Sequence, residues 1–332
     1  MSLLVIYTGG TLGMRAGPQG LAPVPGFLGA ELARLHPGIT CIEYQPLLDS
    51  SAMGPAHWNR IAADIAAQAD AHDGFVVLHG TDTLAWTASA LAFILQGLDK
   101  PVVLTGAMQP WEAPGSDAPA NVAAALTLAQ HGQVREVAVV FASVAYRGCR
   151  VRKMDCEADA AFASPGAPPL GHYEDGQWQI DSQALQPAVQ CGLRHQPVAV
   201  DARIAHCVLA PGHTTDFLVT ALDAGGLDGL LLQSFGAGNL PDAPALLASL
   251  QRLAARAPVV NLSLCPQGGI TPGQYAAGAG LQQMGVFDGA DLTPEAALGK
   301  LYWLAAQRLD LATQRRLFES NIAGERTTPA SL

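Results

Sequence analysis

The chain has 332 residues, 49% of them hydrophobic and only 14% charged, with a formal net charge of −10. So acidic a chain carries no extended phosphate-binding surface: its densest basic cluster, Arg147, Arg150, Arg152 and Lys153, lies in one short segment, and nucleic acid is excluded as a partner. The composition is that of a globular protein and not a disordered one, and the length exceeds what one core usually holds, so two domains are expected.

The first predicted element is a strand at 3–7, a continuous apolar run with the character of a strand buried on both faces. It has neither the charged start nor the small-residue cleavage site of a secretory signal, which places the protein in the cytoplasm. Gly9 and Gly10 follow, flanked by Thr8 and Thr11. Without Cβ atoms the turn tolerates positive φ, and either a small ligand or a second backbone can lie against it. Further strands are predicted at 40–44, 74–79, 101–105 and 136–141, alternating with helices at 55–71, 83–96 and 117–130. That alternation implies a parallel sheet with helices on both faces.

From 164 to about 201 the sequence is rich in Pro, Gly and Gln and reads as an exit from the first domain into a linker. A second alternating unit follows: strand 205–210, helix 214–223, strand 229–233, helix 243–255, strand 258–262, and helices from 294 onward. The expected organisation is therefore an α/β protein of two domains, each a mainly parallel sheet with flanking helices: a larger one at 1–185, a linker at 186–203, and a smaller one at 204–332.

The longest apolar segment, 84–98, contains Thr87, Ser89 and Gln96 and is shorter than the roughly 20 residues that cross a bilayer, so no membrane association is expected. Six cysteines are scattered without a C-x-x-C pair, which suits reduced thiols, and nine histidines add no ligand spacing, so no metal site is predicted.

Polar residues gather where the first-domain strands end, the place where open α/β sheets bind ligands. The turns "TGGTLG" at 8–13, "LLDSSAM" at 47–53, "LHGTDT" at 78–83 and "LTGAMQP" at 104–110 are expected to converge on one crevice. Thr81 and Asp82 have a plain alternative role as helix caps, as Asp49 and Ser50 have as turn formers. A dinucleotide fingerprint is disfavoured, because Thr8 stands where G-x-G-x-x-G needs its first glycine.

In order and spacing, "YTGGTLGM", "DGFVVLHGTDTLAWTASAL", "KPVVLTGAMQP", "SDAPANVAAAL" and "YRGCRVRKMD" resemble the bacterial L-asparaginase family, in its cytoplasmic (type I) branch. "LLLQSFGAGNLP", "PVVNLSLC" and "GADLTPEAALGKL" are similar to its smaller C-terminal domain. The resemblance implies hydrolysis of L-asparagine to L-aspartate and ammonia, with Thr11 as nucleophile and an aspartyl-enzyme between the two steps. It implies a relay of Thr81, Asp82 and Lys153, substrate contacts from Ser50, Ser51, Asp82 and Ala107, and an oxyanion hole from the backbone N–H groups near Thr81 and Ala107. It implies no cofactor, and a homodimer or homotetramer. The chemistry is consistent: a threonine hydroxyl needs a base within reach, and preorganised N–H donors stabilise the charge that develops.

The departures are specific. The family's loop after the first motif carries a tyrosine that hydrogen-bonds the nucleophile, and Leu21 stands in that place. Leucine neither donates nor accepts, so the sequence leaves open an amino-acid-binding protein of weak or altered amidase activity, or a substitute hydroxyl from Tyr7, Tyr146 or Tyr173. Ala52 replaces an acidic or amide residue in the serine loop. Gln233 stands where some relatives have the arginine of a regulatory site, so regulation by that route is not expected.

Overall fold

The computed structural model describes residues 1–18, 20–187, 191–270 and 276–327, so 188–190 of the expected linker lie outside the described residues. The chain divides into two compact units, Met1–Pro197 and Val198–Leu332.

The first unit is built on an eight-stranded sheet. Its parallel part runs, in spatial order, Val137–Phe141, Val102–Thr105, β5 (Gly74–Leu78), β1 (Leu3–Gly9) and β4 (Thr40–Leu48). All seven residues of β1 and all five of β5 are buried, as their unbroken apolar character demands of strands covered on both faces. Tyr7 and Leu78 sit side by side in register, so the exit turns of the two strands are neighbours.

Four helices cover the sheet: α1 (Phe27–Leu35), α2 (Pro55–Ala67), α3 (Leu84–Ile94) and α4 (Ala118–Leu128). Nine of the eleven residues of α3 are buried, which is why its sequence is apolar nearly all round. The helix α1 was not apparent in the sequence; it is a short element between Gly26 at its start and His36 at its end.

The stretch expected to be an irregular exit after 164 instead forms an antiparallel hairpin, Gly171–Glu174 with Gln177–Ile180, which extends the sheet through Val144–Arg147. Its turn is Asp175–Gly176, both with positive φ (49° and 78°), the two-residue connection that matches strand twist. A second small hairpin, β2 (Met14–Gly17) with β3 (Gly20–Pro23), follows the first glycine turn.

The second unit holds a four-stranded parallel sheet in the order Ile204–Val208, Gly229–Ser234, Val259–Ser263 and Phe287–Asp288. The flanking helices include α5 (Thr214–Asp223) and α6 (Pro244–Ala254). Its core gathers Leu218, Leu222, Leu230, Leu232, Leu246, Leu250 and Val259. Near its carboxyl end Lys300 is wholly buried and paired with the buried carboxylate of Glu325, and also donates to the carbonyls of Phe318 and Ser320. A buried ammonium needs such a set of acceptors, and here they tie the segment after Phe318 to its unit.

Candidate active site

The exit turns of β1, β4, β5 and Val102–Thr105 meet at a cleft of about 290 Å³. Its lining includes Thr11, Ser50, Thr81, Asp82, Ala107 and Lys153. The close packing that Gly9 and Gly10 permit is of backbone against backbone. A Cβ on Gly9 would lie 2.1 Å from the carbonyl oxygen of Leu48, and one on Gly10 would lie 2.6 Å from the Cα of Gly80. Gly80 in turn presses on Ser50, whose Oγ is 2.5 Å from where a Cβ would stand. These approaches draw three turns to one point, and a side chain at any of them would force the turns apart.

Thr11 opens a short 3₁₀ turn, Thr11–Gly13, and is half-buried at the cleft; its hydroxyl makes no hydrogen bond among the described residues. Thr81, by contrast, is engaged. The ammonium of Lys153 donates to Thr81 Oγ1 at 2.9 Å and to Asp82 Oδ1 at 2.8 Å. Asp82 is 62% exposed, and an ion pair so accessible adds at most about 1 kcal/mol to stability. The contact therefore orients the lysine more than it holds the fold. Thr81–Thr83 is a 3₁₀ turn leading straight into α3, so the positive end of that helix faces the cleft.

Ser50 is buried in the cleft wall, and its carbonyl accepts from Thr83 Oγ1 at 2.7 Å, joining the serine turn to the Thr81–Thr83 turn. Ser51 is exposed and does not line the cleft; its amide is held by Asp49 Oδ1 at 2.9 Å, and Asp49 itself lines the cleft. Arg150, near Lys153 in sequence, is a buried residue that donates to the carbonyl of Gly166 at 2.5 Å.

None of the three candidate tyrosines lines the cleft. Tyr7 lies wholly buried beneath the first turn, its hydroxyl without a partner and against Gly13, where a Cβ would come within 1.8 Å of it. Burial, reinforced by the charge of Glu43, raises its pKa far above that of a free phenol. Tyr173 packs on Trp178 and its hydroxyl meets Thr127 at 3.4 Å, while Tyr146 lies in the sheet opposite Val139. Leu21, on β3 opposite Ala16, is 52% exposed. The hairpin that bears it is fastened by Arg15, which donates twice to Glu112 at 2.7 and 2.6 Å and stacks 4.0 Å over the Phe27 ring.

Sequence reasoning passed over residues that shape the cleft from behind. His79 is wholly buried between the two central turns, with Nδ1 on the carbonyl of Gly80 at 2.7 Å and Nε2 on the Thr87 hydroxyl at 2.9 Å. Burial pushes its pKa down to about 4, against a smaller opposite pull from the Gly80 carbonyl, so it is neutral at pH 7. Asp117 and Asn121, in the first turn of α4, hold the turn around Ala107. Their i, i+4 spacing just after a predicted ligand-binding turn was the available signal. Met14, Met108 and Cys156 complete the lining and carry no such signal.

Among the described residues no group of His, Cys, Asp and Glu is arranged to hold a metal, and no helix is long and apolar enough to cross a membrane. A cleft with a free hydroxyl, a lysine-linked hydroxyl, a carboxylate and a helix N-terminus is equipped to attack a carbonyl carbon and to stabilise the resulting oxyanion.

Residues 2–186 match the family described as asparaginase, N-terminal, and residues 203–318 match the glutaminase/asparaginase C-terminal domain. The chain is 40% identical to L-asparaginase 1 of Escherichia coli (strain K12), over 98% of each chain. Among solved structures, the thermostable L-asparaginase from Thermococcus kodakarensis superposes with a TM-score of 0.89 at 32% identity, covering 99% of this chain and 100% of that one. L-asparaginase I from Vibrio cholerae superposes with a TM-score of 0.88 at 35% identity, covering 98% and 99%.

Proposed function

The chain belongs to the asparaginase family, and from that premise we propose that it hydrolyses L-asparagine to L-aspartate and ammonia with Thr11 as nucleophile. The observation that carries this reading is the contrast between the two threonines of one cleft: Thr11 has a free hydroxyl, while Thr81 is bound to Lys153.

In the first step Thr11 Oγ1 bonds to the side-chain carboxamide carbon as its proton passes to Thr81 Oγ1 and the proton of Thr81 passes to Lys153 Nζ, the lysine acting in its neutral amine form and becoming an ammonium. The tetrahedral oxyanion is met by backbone N–H groups at Thr81 and Ala107. Collapse expels the nitrogen, which takes up a proton and leaves as ammonia, and an aspartyl ester of Thr11 remains. Water then attacks the ester carbon, the Thr11 oxygen regains its proton, and aspartate departs. Asp82 serves twice, orienting Lys153 and receiving the substrate ammonium, while Ser50 holds the α-carboxylate; Ser51, outside the cleft lining, acts only through its turn with Asp49. None of these steps calls on a cofactor.

The same reading places the enzyme in the cytoplasm, in keeping with cysteines that form no disulfide, and assembles it as a homodimer or homotetramer. Phe217 and Val208, 75% and 48% exposed on the second unit, are suited to burial in such an assembly.

The test is ammonia release by the purified protein from L-asparagine, L-glutamine and D-asparagine, beside Thr11→Ala. Turnover of L-asparagine above the other two, lost in a folded Thr11→Ala, is expected. Near-normal release by that variant would remove Thr11 from its role.

A further inference from the structure

We propose that Asn121, braced by Asp117, is a positioning residue that fixes the direction in which the Ala107 N–H points; this rests on the reading of that N–H as an oxyanion donor. The carbonyl of Gly106 and the N–H of Ala107 belong to one peptide unit. In a planar trans peptide these two groups point in opposite directions, so whatever holds the carbonyl aims the N–H. Asn121 Nδ2 donates to the Gly106 carbonyl at 3.1 Å. The N–H of Ala107 has no partner among the described residues, and Ala107 lines the cleft.

The side-chain amide is itself locked. The backbone N–H of Ala142 donates to Asn121 Oδ1 at 3.0 Å, and since an N–H can only donate, this contact assigns the amide's oxygen and leaves its nitrogen for Gly106. The second hydrogen of that nitrogen goes to Asp117 Oδ2 at 3.1 Å. Asp117 completes the brace by accepting from the N–H groups of Met108 and Gln109, each at 2.9 Å. The units on both sides of Ala107 are thereby held from the first turn of one helix. Asn121 is 2% exposed and Gly106 packs against the carbonyl of His79, so the peptide has no room to turn without breaking these bonds.

A donor aimed at a developing oxyanion is felt in the transition state and hardly at all in bound substrate or product. Asn121→Asp presents an oxygen to the Gly106 carbonyl and to Asp117, which repels the peptide it should hold. The expected result is a fall in kcat of about 10²-fold, with KM for L-asparagine and Kd for L-aspartate within about 3-fold of the parent. Asp117→Asn, a same-shape change at a less buried position, keeps one acceptor and is expected to show the same split at about 10-fold; it serves should Asn121→Asp not fold. A folded variant with unchanged kcat, or with kcat, KM and aspartate affinity worsening together, overturns the positioning role. A parent that releases no ammonia, or a Thr11→Ala variant that still does, overturns the functional reading instead, so the two failures are distinct.

Discussion

Gly10 faces Gly80 across the gap between β1 and β5 so closely that a methyl group on Gly10 would stand 2.6 Å from both the Cα and the N of its neighbour. With φ at 102°, Gly10 also occupies backbone space that side chains rarely enter. Gly10→Ala is therefore expected to destabilise the protein by more than the roughly 1 kcal/mol that a favourable Gly→Ala exchange would gain, and to displace the adjoining Thr11. A thermal scan and the asparagine kcat check this together; a folded variant with parental kcat would show that the turn tolerates spreading.

Lys153 spans Thr81 and Asp82. Because the Asp82 end of the pair is open to water, Lys153→Met is expected to change stability by under about 1 kcal/mol while lowering kcat by 10²- to 10⁴-fold, on the order of a lost proton-transfer group. Lys153→Arg is expected to be nearly as slow, since a guanidinium keeps its charge and cannot accept a proton. Retention of kcat in the arginine variant would reduce Lys153 to a fixed positive charge.

His79 carries a pH signature. Its folded pKa of about 4 lies below the ordinary 6.5, so at any pH between these values the unfolded chain binds more protons. Its neutral, buried state is fully supported above pH 6.5 and loses support as pH falls toward 4, by about 3 kcal/mol in all. Denaturant midpoints taken from pH 7.5 to 4 are expected to fall more steeply in the parent than in a folded His79→Gln variant. Equal slopes would mean that His79 does not titrate with unfolding.

Tyr7 buries a hydroxyl without a partner, an arrangement that costs about 1–3 kcal/mol. Tyr7→Phe is accordingly expected to leave stability unchanged or raised and kcat unaltered. A drop in kcat would make Tyr7 the hydroxyl that stands in for the one Leu21 lacks.

Leu21 offers the site no hydrogen bond, and it sits on a hairpin tied down by the Arg15–Glu112 pair. Leu21→Tyr is expected to raise kcat by about 10-fold or more, toward the range that a positioned catalytic hydroxyl contributes. No gain would show that the hairpin does not deliver residue 21 to the cleft.

The parallel strands and most helices were legible because fully buried strands such as Leu3–Gly9 and apolar helices such as α3 leave unbroken apolar runs. The hairpin at 171–180 was obscured by the surrounding Pro and Gly, although its "DG" turn is a hairpin signal in its own right. In the cleft, the residues visible in advance were those on the polar strand-end turns, Thr11, Ser50, Thr81, Asp82 and Ala107, with Lys153 reached through the family resemblance. Asp117 and Asn121 escaped because their contacts are with carbonyls and N–H groups of other turns, which only the folded chain brings within 3 Å or so, and His79 escaped because its contacts with Gly80 and Thr87 are local and its complete burial is a property of the fold. The answer to why Gly9 and Gly10 stand at the end of β1 was likewise hidden, since the neighbours they admit are the backbones of Leu48 and Gly80, distant in sequence.

The most direct test of the central claim is to quench turnover of L-asparagine within milliseconds in acid and map the adduct by peptide mass spectrometry. One aspartyl group is expected, held as an ester on the peptide containing Thr11 and absent from Thr11→Ala. An adduct on the peptide containing Thr81, or its formation in Thr11→Ala, would contradict the claim.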